Sequence, residues 1–154
     1  MEKTNVMRLL DQAKINYIPH EYDKTCTNGE EVARLCEKDP ECVFKTLVTR
    51  ANTKEYFVFC IPVNHTLNLK KAASSVHVKA IEMIHQKELL PLTGYIHGGC
   101  SPIGMKKKFK TIINDTAIVF DTICVSAGKV GFQVELNPYD LASYVMSEFI
   151  DVCD

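Results

Sequence analysis

Between residues 98 and 104 the chain reads Gly98-Gly99-Cys100-Ser101-Pro102-Ile103-Gly104. Three glycines and a proline in seven residues exclude both a helix interior and a central strand. Glycine costs too much backbone entropy there, and proline lacks the N–H that a ladder needs. The fold must therefore be assembled from elements on either side of a tight loop. Lys106, Lys107 and Lys108 follow at once. Backbone N–H groups that a ligand can approach closely, with positive charge behind them, suit an oxyanion or a phosphate ester. A plain surface turn with solvated lysines satisfies the same residues, so the loop alone does not decide.

The 154 residues are read as one domain, 1–154, long enough to bury a core of its own. A formal net charge of −1 excludes general attraction to polyanions, so any nucleic-acid contact must come from a local basic patch. The seven cysteines, at 26, 36, 42, 60, 100, 124 and 153, include no C-x-x-C pair and are odd in number. Neither a disulfide framework nor a zinc site fits that spacing, and reduced thiols are expected. Cys60 and Cys124 lie inside apolar runs and are read as small hydrophobes. The polar start, Met1 to Asn5, lacks the apolar core of a signal peptide. No apolar run nears the ~18 residues of a membrane span. A cytoplasmic protein with no membrane partner is expected.

Periodicity places a helix after a cap at Thr4 or Asn5, with Val6, Leu9, Leu10 and Ala13 on one face to about Lys14. Tyr17 to Tyr22 alternates and reads as an edge strand because of Pro19. A second helix starts at Asn28 or Gly29 and carries Val32, Leu35 and Cys36. Cys42–Val48 and Tyr56–Val63 form a hairpin across Ala51–Glu55. Leu67–Ala73 reads as a helix with Leu69, Ala72 and Ala73 on its buried face. Residues 76–84 remain open between strand and loop, and Gln86–Leu90 is one helical turn halted near Pro91. Tyr95–His97, Thr111–Ile113, Ala117–Phe120, Thr122–Val125 and Phe132–Leu136 read as strands. Asn137 caps a last helix with Pro138 at its first position. The order predicts an α+β fold, a mixed sheet or partial barrel with flanking helices.

Lys45 is the first candidate for chemistry. In Cys42-Val43-Phe44-Lys45-Thr46-Leu47-Val48 it shares a strand face with Val43 and Leu47. An ammonium on such a face needs an anion or a pocket mouth, unless its stem snorkels to the sheet edge. The second glycine site, Val125-Ser126-Ala127-Gly128-Lys129-Val130-Gly131, is explained by a hairpin turn, though Ser126 and Lys129 can still face a pocket. The five histidines show no H-E-x-x-H or H-x-H spacing, so no metal is expected. Ser101 lacks a nucleophile elbow, and no base is placed beside Cys100.

These segments occur together, in order. Val43-Phe44-Lys45-Thr46-Leu47, the Gly98–Gly104 loop, Lys106-Lys107-Lys108 and Val125-Ser126-Ala127-Gly128-Lys129 resemble the YbaK family of free-standing Cys-tRNA(Pro) deacylases. That family is related to the editing domain inserted in bacterial prolyl-tRNA synthetase. Leu67-Asn68-Leu69-Lys70-Lys71 and Thr93-Gly94-Tyr95 add to the resemblance, which runs from about Val6 to Phe149.

The resemblance implies hydrolysis of the ester joining cysteine to tRNA(Pro), without metal or cofactor, and prolyl-tRNA synthetase as a partner. It implies catalytic roles for Lys45 and for the Gly98 backbone. It implies substrate contacts at Tyr22, Thr46, Gly99, Ser101, Pro102, Ser126 and Gln133, and leaves Lys106, Lys107 and Lys108 to hold the tRNA acceptor end. It also implies substrate assistance: the cysteine thiol attacks its own ester, so the protein needs no nucleophile. One departure stands out. Relatives often carry an acidic residue where this chain has Gln133, which can hydrogen-bond but carries no charge. Specificity therefore stays open between cysteine and another small amino acid such as alanine, and a non-catalytic tRNA- or synthetase-binding module is the other class.

Overall fold

The computed structural model describes residues 1–26 and 28–154. Thr4 caps α1 (Asn5–Gln12) by accepting from the Met7 N–H at 3.3 Å, and Val6, Met7 and Leu10 form its buried face. β1 (Ile18–Glu21) follows, then α2 (Gly29–Leu35), capped by the Asn28 side chain. β2 (Phe44–Ala51) and β3 (Tyr56–Pro62) make the expected antiparallel hairpin, registered Lys45 to Ile61 and Leu47 to Phe59. Next come α3 (Leu69–Ser75), β4 (Ile81–Met83), α4 (Gln86–Thr93) and β5 (Lys110–Asn114). β6 (Ile123–Ser126), β7 (Phe132–Leu136), α5 (Pro138–Val145) and β8 (Glu148–Ile150) complete the order.

The strands form two sheets. β1-β7-β6 is antiparallel throughout, with β1 at an edge as Pro19 requires. β4-β2-β3-β5-β8 is mixed, since β5 pairs parallel with both β3 and β8. β3 lies at its centre and is apolar on both faces, as a strand covered on both sides must be. One face sends Phe57, Phe59 and Ile61 under α3. The other contributes Cys60, with Phe44 and Ile113, to a core shared with α1, α5 and the inner face of the smaller sheet. There Phe132, Val134 and Leu136 of β7 meet Val6, Met7 and Leu10 of α1. This is an α+β architecture whose sheets keep open edges rather than closing into a barrel. No helix among the described residues is long and apolar enough to cross a membrane.

Several local expectations give way to tertiary context. Tyr95–His97 is a turn rather than a strand. The Gly94 cap adopts a left-handed φ of +84°, and Gly99 donates to Ile96 O. Ala117–Phe120, despite its β-branched residues, belongs to a 3-10 turn over Asp115–Val119. The buried Asn114 directs that turn, its Nδ2 donating to Thr116 Oγ1 and its Oδ1 accepting from the Val152 N–H. Pro91 does not stop α4, which runs to Thr93. An exposed proline forfeits one N–H, while Thr93 and Gly94 still donate to Leu89 O and Leu90 O. Leu69 is 43% exposed because α3 turns Ala72 and Ala73 inward instead. β8 carries no periodic signal; at three residues it exists only through its pairing with β5.

Candidate active site

The first residues of β2 run past the end of the smaller sheet, where Val43 makes an isolated parallel bridge to Cys124 of β6. At this seam between the sheets a cavity of about 260 Å³ opens. It is lined by Tyr22, Lys45, Thr46, Gly98, Ser126 and Gln133, which come from four separate segments of the chain. α2 forms a further wall through Gly29 and Val32. Gly29 has no room for a side chain: a Cβ there would stand 2.6 Å from Val63 Cγ1, so glycine lets the helix start close against the wall.

Each lining group is placed by the local register. On β7, Phe132 and Val134 point to the core, so Gln133 points the other way. Ser126 pairs with Gln133 across the hairpin and shares its face. Ser126 Oγ also accepts from the Gly128 N–H at 3.1 Å, so the same hydroxyl tightens the turn. Lys45 is half-buried, and its ammonium donates to Val63 O at 3.5 Å, a long contact that leaves donor capacity unspent. Gly98 sits at the third position of the Ile96–Gly99 turn with φ of +87°, a conformation glycine adopts without strain.

Gln133 is the most informative of these residues. It is 7% exposed, and its Oε1 is buried without a hydrogen-bond partner. Buried polar atoms are normally satisfied, and leaving one unpaired costs about 1–3 kcal/mol. Gln133 lines the cavity, and its carbonyl oxygen, itself occluded, has unmet acceptor capacity in the folded chain. Tyr22 is also buried, which raises its phenol above the usual range. Hydrogen bonding from the Gly131 backbone and the Gln133 side chain only partly offsets that. The phenol is therefore a neutral donor at physiological pH.

Cys100 lines the cavity as well, and burial pushes its thiol up to about 12. It is protonated at neutral pH, and a thiol is a poor nucleophile. His97 also reaches the cavity; its place directly before Gly98 was the signal for it.

Other residues of the glycine loop lie off the cavity wall. Gly99 is buried, and a Cβ there would come within 3.2 Å of Val130 N, so it packs the loop against the β6–β7 turn. Ser101 is fully buried, with its Oγ accepting from the Ile103 N–H, and Pro102 is buried beside it. Lys106 lines a different cavity, and Lys107 and Lys108 are exposed.

A polar cluster lies on the same face of β7, two residues beyond Gln133. Glu135 Oε1 is 2.8 Å from His20 Nε2 and 2.9 Å from Lys38 Nζ, while Thr122 Oγ1 donates to Oε2. Burial alone would raise this carboxyl, but hydrogen bonds from Thr122, Lys38 and His20 hold it down at about 2. Among the described residues, His20, Cys124 and Glu135 are the group whose donor atoms come within 4.8 Å of one another. Their chemistry does not suit a metal. The Lys38 ammonium already occupies the carboxylate, and burial raises the Cys124 thiol and keeps it protonated. The cluster is an ion-pair network that ties the segment after α2 to the smaller sheet.

Residues 23–144 match the model of the "Aminoacyl-tRNA editing domain" family. A protein of Enterococcus faecalis named "Putative Cys-tRNA(Pro)/Cys-tRNA(Cys) deacylase EbsC" is 42% identical, over 98% of this chain and 93% of its own length. Two crystal structures share the fold. "Hypothetical protein APE2540" has a TM-score of 0.89 at 19% identity, over 99% of this chain and 100% of that one. "A putative trans-editing enzyme for prolyl tRNA synthetase" has a TM-score of 0.85 at 17% identity, over 97% and 94%. The chain belongs to the aminoacyl-tRNA editing domain family.

Proposed function

We propose that the chain, a single editing domain over residues 1–154, hydrolyses the ester of mischarged Cys-tRNA(Pro) in trans, releasing cysteine and tRNA(Pro) alongside prolyl-tRNA synthetase. The observation that carries this reading is that Gln133, whose Oε1 is unsatisfied, lines the same cavity as Lys45 and Gly98. An aminoacyl ester offers what those three groups lack. Its α-ammonium donates to Oε1, and its carbonyl oxygen accepts from the Gly98 N–H and the Lys45 ammonium. The 42% identical relative, named for cysteinyl-tRNA, supports the choice of amino acid.

An aminoacyl ester is already activated, so the site needs mainly to orient it and to stabilise the oxyanion. The cysteine sulfur attacks its own carbonyl carbon, forming a C–S bond. The C–O bond to the ribose breaks, and the thiol proton ends on the departing oxygen. Water then opens the cyclic thioester to free cysteine. No protein nucleophile takes part, in keeping with a Cys100 thiol held up at about 12. Cys100→Ser is therefore expected to keep its rate on Cys-tRNA(Pro) within about threefold of the parent. A folded variant that lost activity would instead assign the attack to this sulfur.

Deacylation of purified Cys-tRNA(Pro), Cys-tRNA(Cys), Ala-tRNA(Pro) and Pro-tRNA(Pro) tests the reading as a whole. Rapid hydrolysis of the cysteinyl esters, with Pro-tRNA(Pro) spared, is the expected pattern. Preference for the alanyl ester would make this a deacylase of another small residue, and binding without turnover would make it a non-catalytic module.

A further inference from the structure

A second cavity, of about 520 Å³, is lined in part by residues that neighbour those of the ester pocket along the chain. Its walls include Lys3, Arg8, Lys106 and Lys129 against one carboxylate, that of Glu2. Such a concentration of positive charge is unexpected in a chain of net charge −1. Lys129 pairs with Glu2, and Lys3 pairs with Asp11, which lies outside the cavity lining. Arg8 and Lys106 form no ion pair among the described residues. The aliphatic stem of Lys106 lies over Gly94, where a Cβ would come within 3.4 Å of its Cγ.

The two cavities have no lining residue in common, but two chain segments run from one to the other. Ser126 lines the ester pocket, and Ala127, Gly128 and Lys129 line the basin. Likewise Gly98 and His97 face the pocket, while Thr93, Gly94 and Tyr95 face the basin. From Ser126 to Gly128 is at most about 7 Å of chain. Two or so stacked nucleotides cover that span at ~3.4 Å each. The floor is close-packed. A Cβ on Gly128 would stand 2.9 Å from Tyr95 Cε1 and 3.0 Å from Val6 Cγ2, so the β6–β7 turn rests directly on α1.

We propose that this basin binds the phosphodiester backbone of the RNA strand that leads into the ester pocket, with Arg8 and Lys106 as its phosphate-binding residues. The proposal rests on the reading that the pocket holds an aminoacyl ester at an RNA 3′ end. Phosphate contacts fix register without reading sequence. The one aromatic ring on the basin wall, Tyr95, is half-buried with its hydroxyl donating to Ile103 O, which offers no open stacking platform. The basin thus positions any acceptor end alike, and leaves discrimination to the ester pocket.

The test compares two substrates, full-length Cys-tRNA(Pro) and the cysteinyl ester of adenosine, which has no phosphodiester. Arg8→Gln/Lys106→Gln removes two charges and retains polar side chains at exposed positions. The double variant should raise KM for the tRNA substrate at least tenfold at low salt. It should also flatten the slope of log(kcat/KM) against log[KCl] by about 1.4, at ~0.7 per single-strand phosphate contact. Hydrolysis of the adenosine ester should not change.

Lys54→Gln/Lys79→Gln serves as the charge-matched control. It lies at the far end of the β2–β3 hairpin, roughly 20 Å along β2 from Lys45. An unchanged KM and slope in the Arg8/Lys106 variant would overturn the proposal. So would equal loss on both substrates, or the same effect from the control. If the parent protein hydrolyses neither ester, the deacylase reading fails, and the same salt slopes are then measured on binding of uncharged tRNA, where an unaltered slope in the variant refutes the basin.

Discussion

Lys45→Ala should lower kcat/KM for Cys-tRNA(Pro) by about a hundredfold, in the range seen when one preorganised oxyanion donor is removed. The side chain is suited to such a test. Its one hydrogen bond, to Val63 O at 3.5 Å, is near the limit of the interaction, so its loss costs the fold little. Phe44 on one side is core, while Lys45 itself is half-buried at the pocket. Circular dichroism and the thermal midpoint should match the parent while single-turnover deacylation collapses. Lys45→Arg keeps the charge but spreads it over a planar fork and should recover only part of the rate. Turnover undiminished in Lys45→Ala would remove this residue from the mechanism and leave the Gly98 backbone as the remaining donor.

Glu135→Gln is expected to be the most damaging of these changes to stability, by about 3 kcal/mol at pH 7. The carboxylate is nearly buried and holds both Lys38 and His20; the amide would leave the Lys38 ammonium with no anion beside it. The pH dependence separates this from a packing defect. The Glu135 carboxyl sits at about 2 in the folded protein against an ordinary value of 4.5. A group depressed by folding stabilises the protein above its unfolded value and loses that contribution as pH falls toward its folded one. The gap between parent and variant should thus be full at neutral pH and close progressively between about pH 4.5 and pH 2. Urea midpoints at pH 7, 5, 4 and 3 measure it. A gap that stays constant across that range would show that the network contributes through packing alone.

Much of the scaffold was legible from residue pattern because its causes are local. Caps at Thr4, Asn28 and Asn137 place helix starts through side chains within three residues of the N–H they satisfy. The β2–β3 and β6–β7 hairpins follow from alternation and turn residues. The misread segments share a different cause. Ala117–Phe120 has strand-forming residues but no strand to pair with, and a buried Asn114 turns it instead. β8 pairs only because the chain returns beside β5.

The site divides in the same way. The glycine loop, Lys45 and the Ser126 turn were visible as motifs, since each depends on residue types a few positions apart. From the sequence they pointed to an aminoacyl-ester chemistry through the family resemblance, and no nucleophile–base pair was spelled out. Their meeting at a seam between two sheets was a tertiary decision, because β2 and the β6–β7 hairpin are separated by some eighty residues and joined there by the Val43–Cys124 bridge. Tertiary packing also separated the loop residues by role. Gly98 faces the cavity, while Gly99 and Ser101 hold the loop in place behind it. The physical reason is the range of the forces involved: turn and cap chemistry acts over a few residues, whereas burial, and with it the orphaned oxygen of Gln133, exists only once distant strands exclude water together.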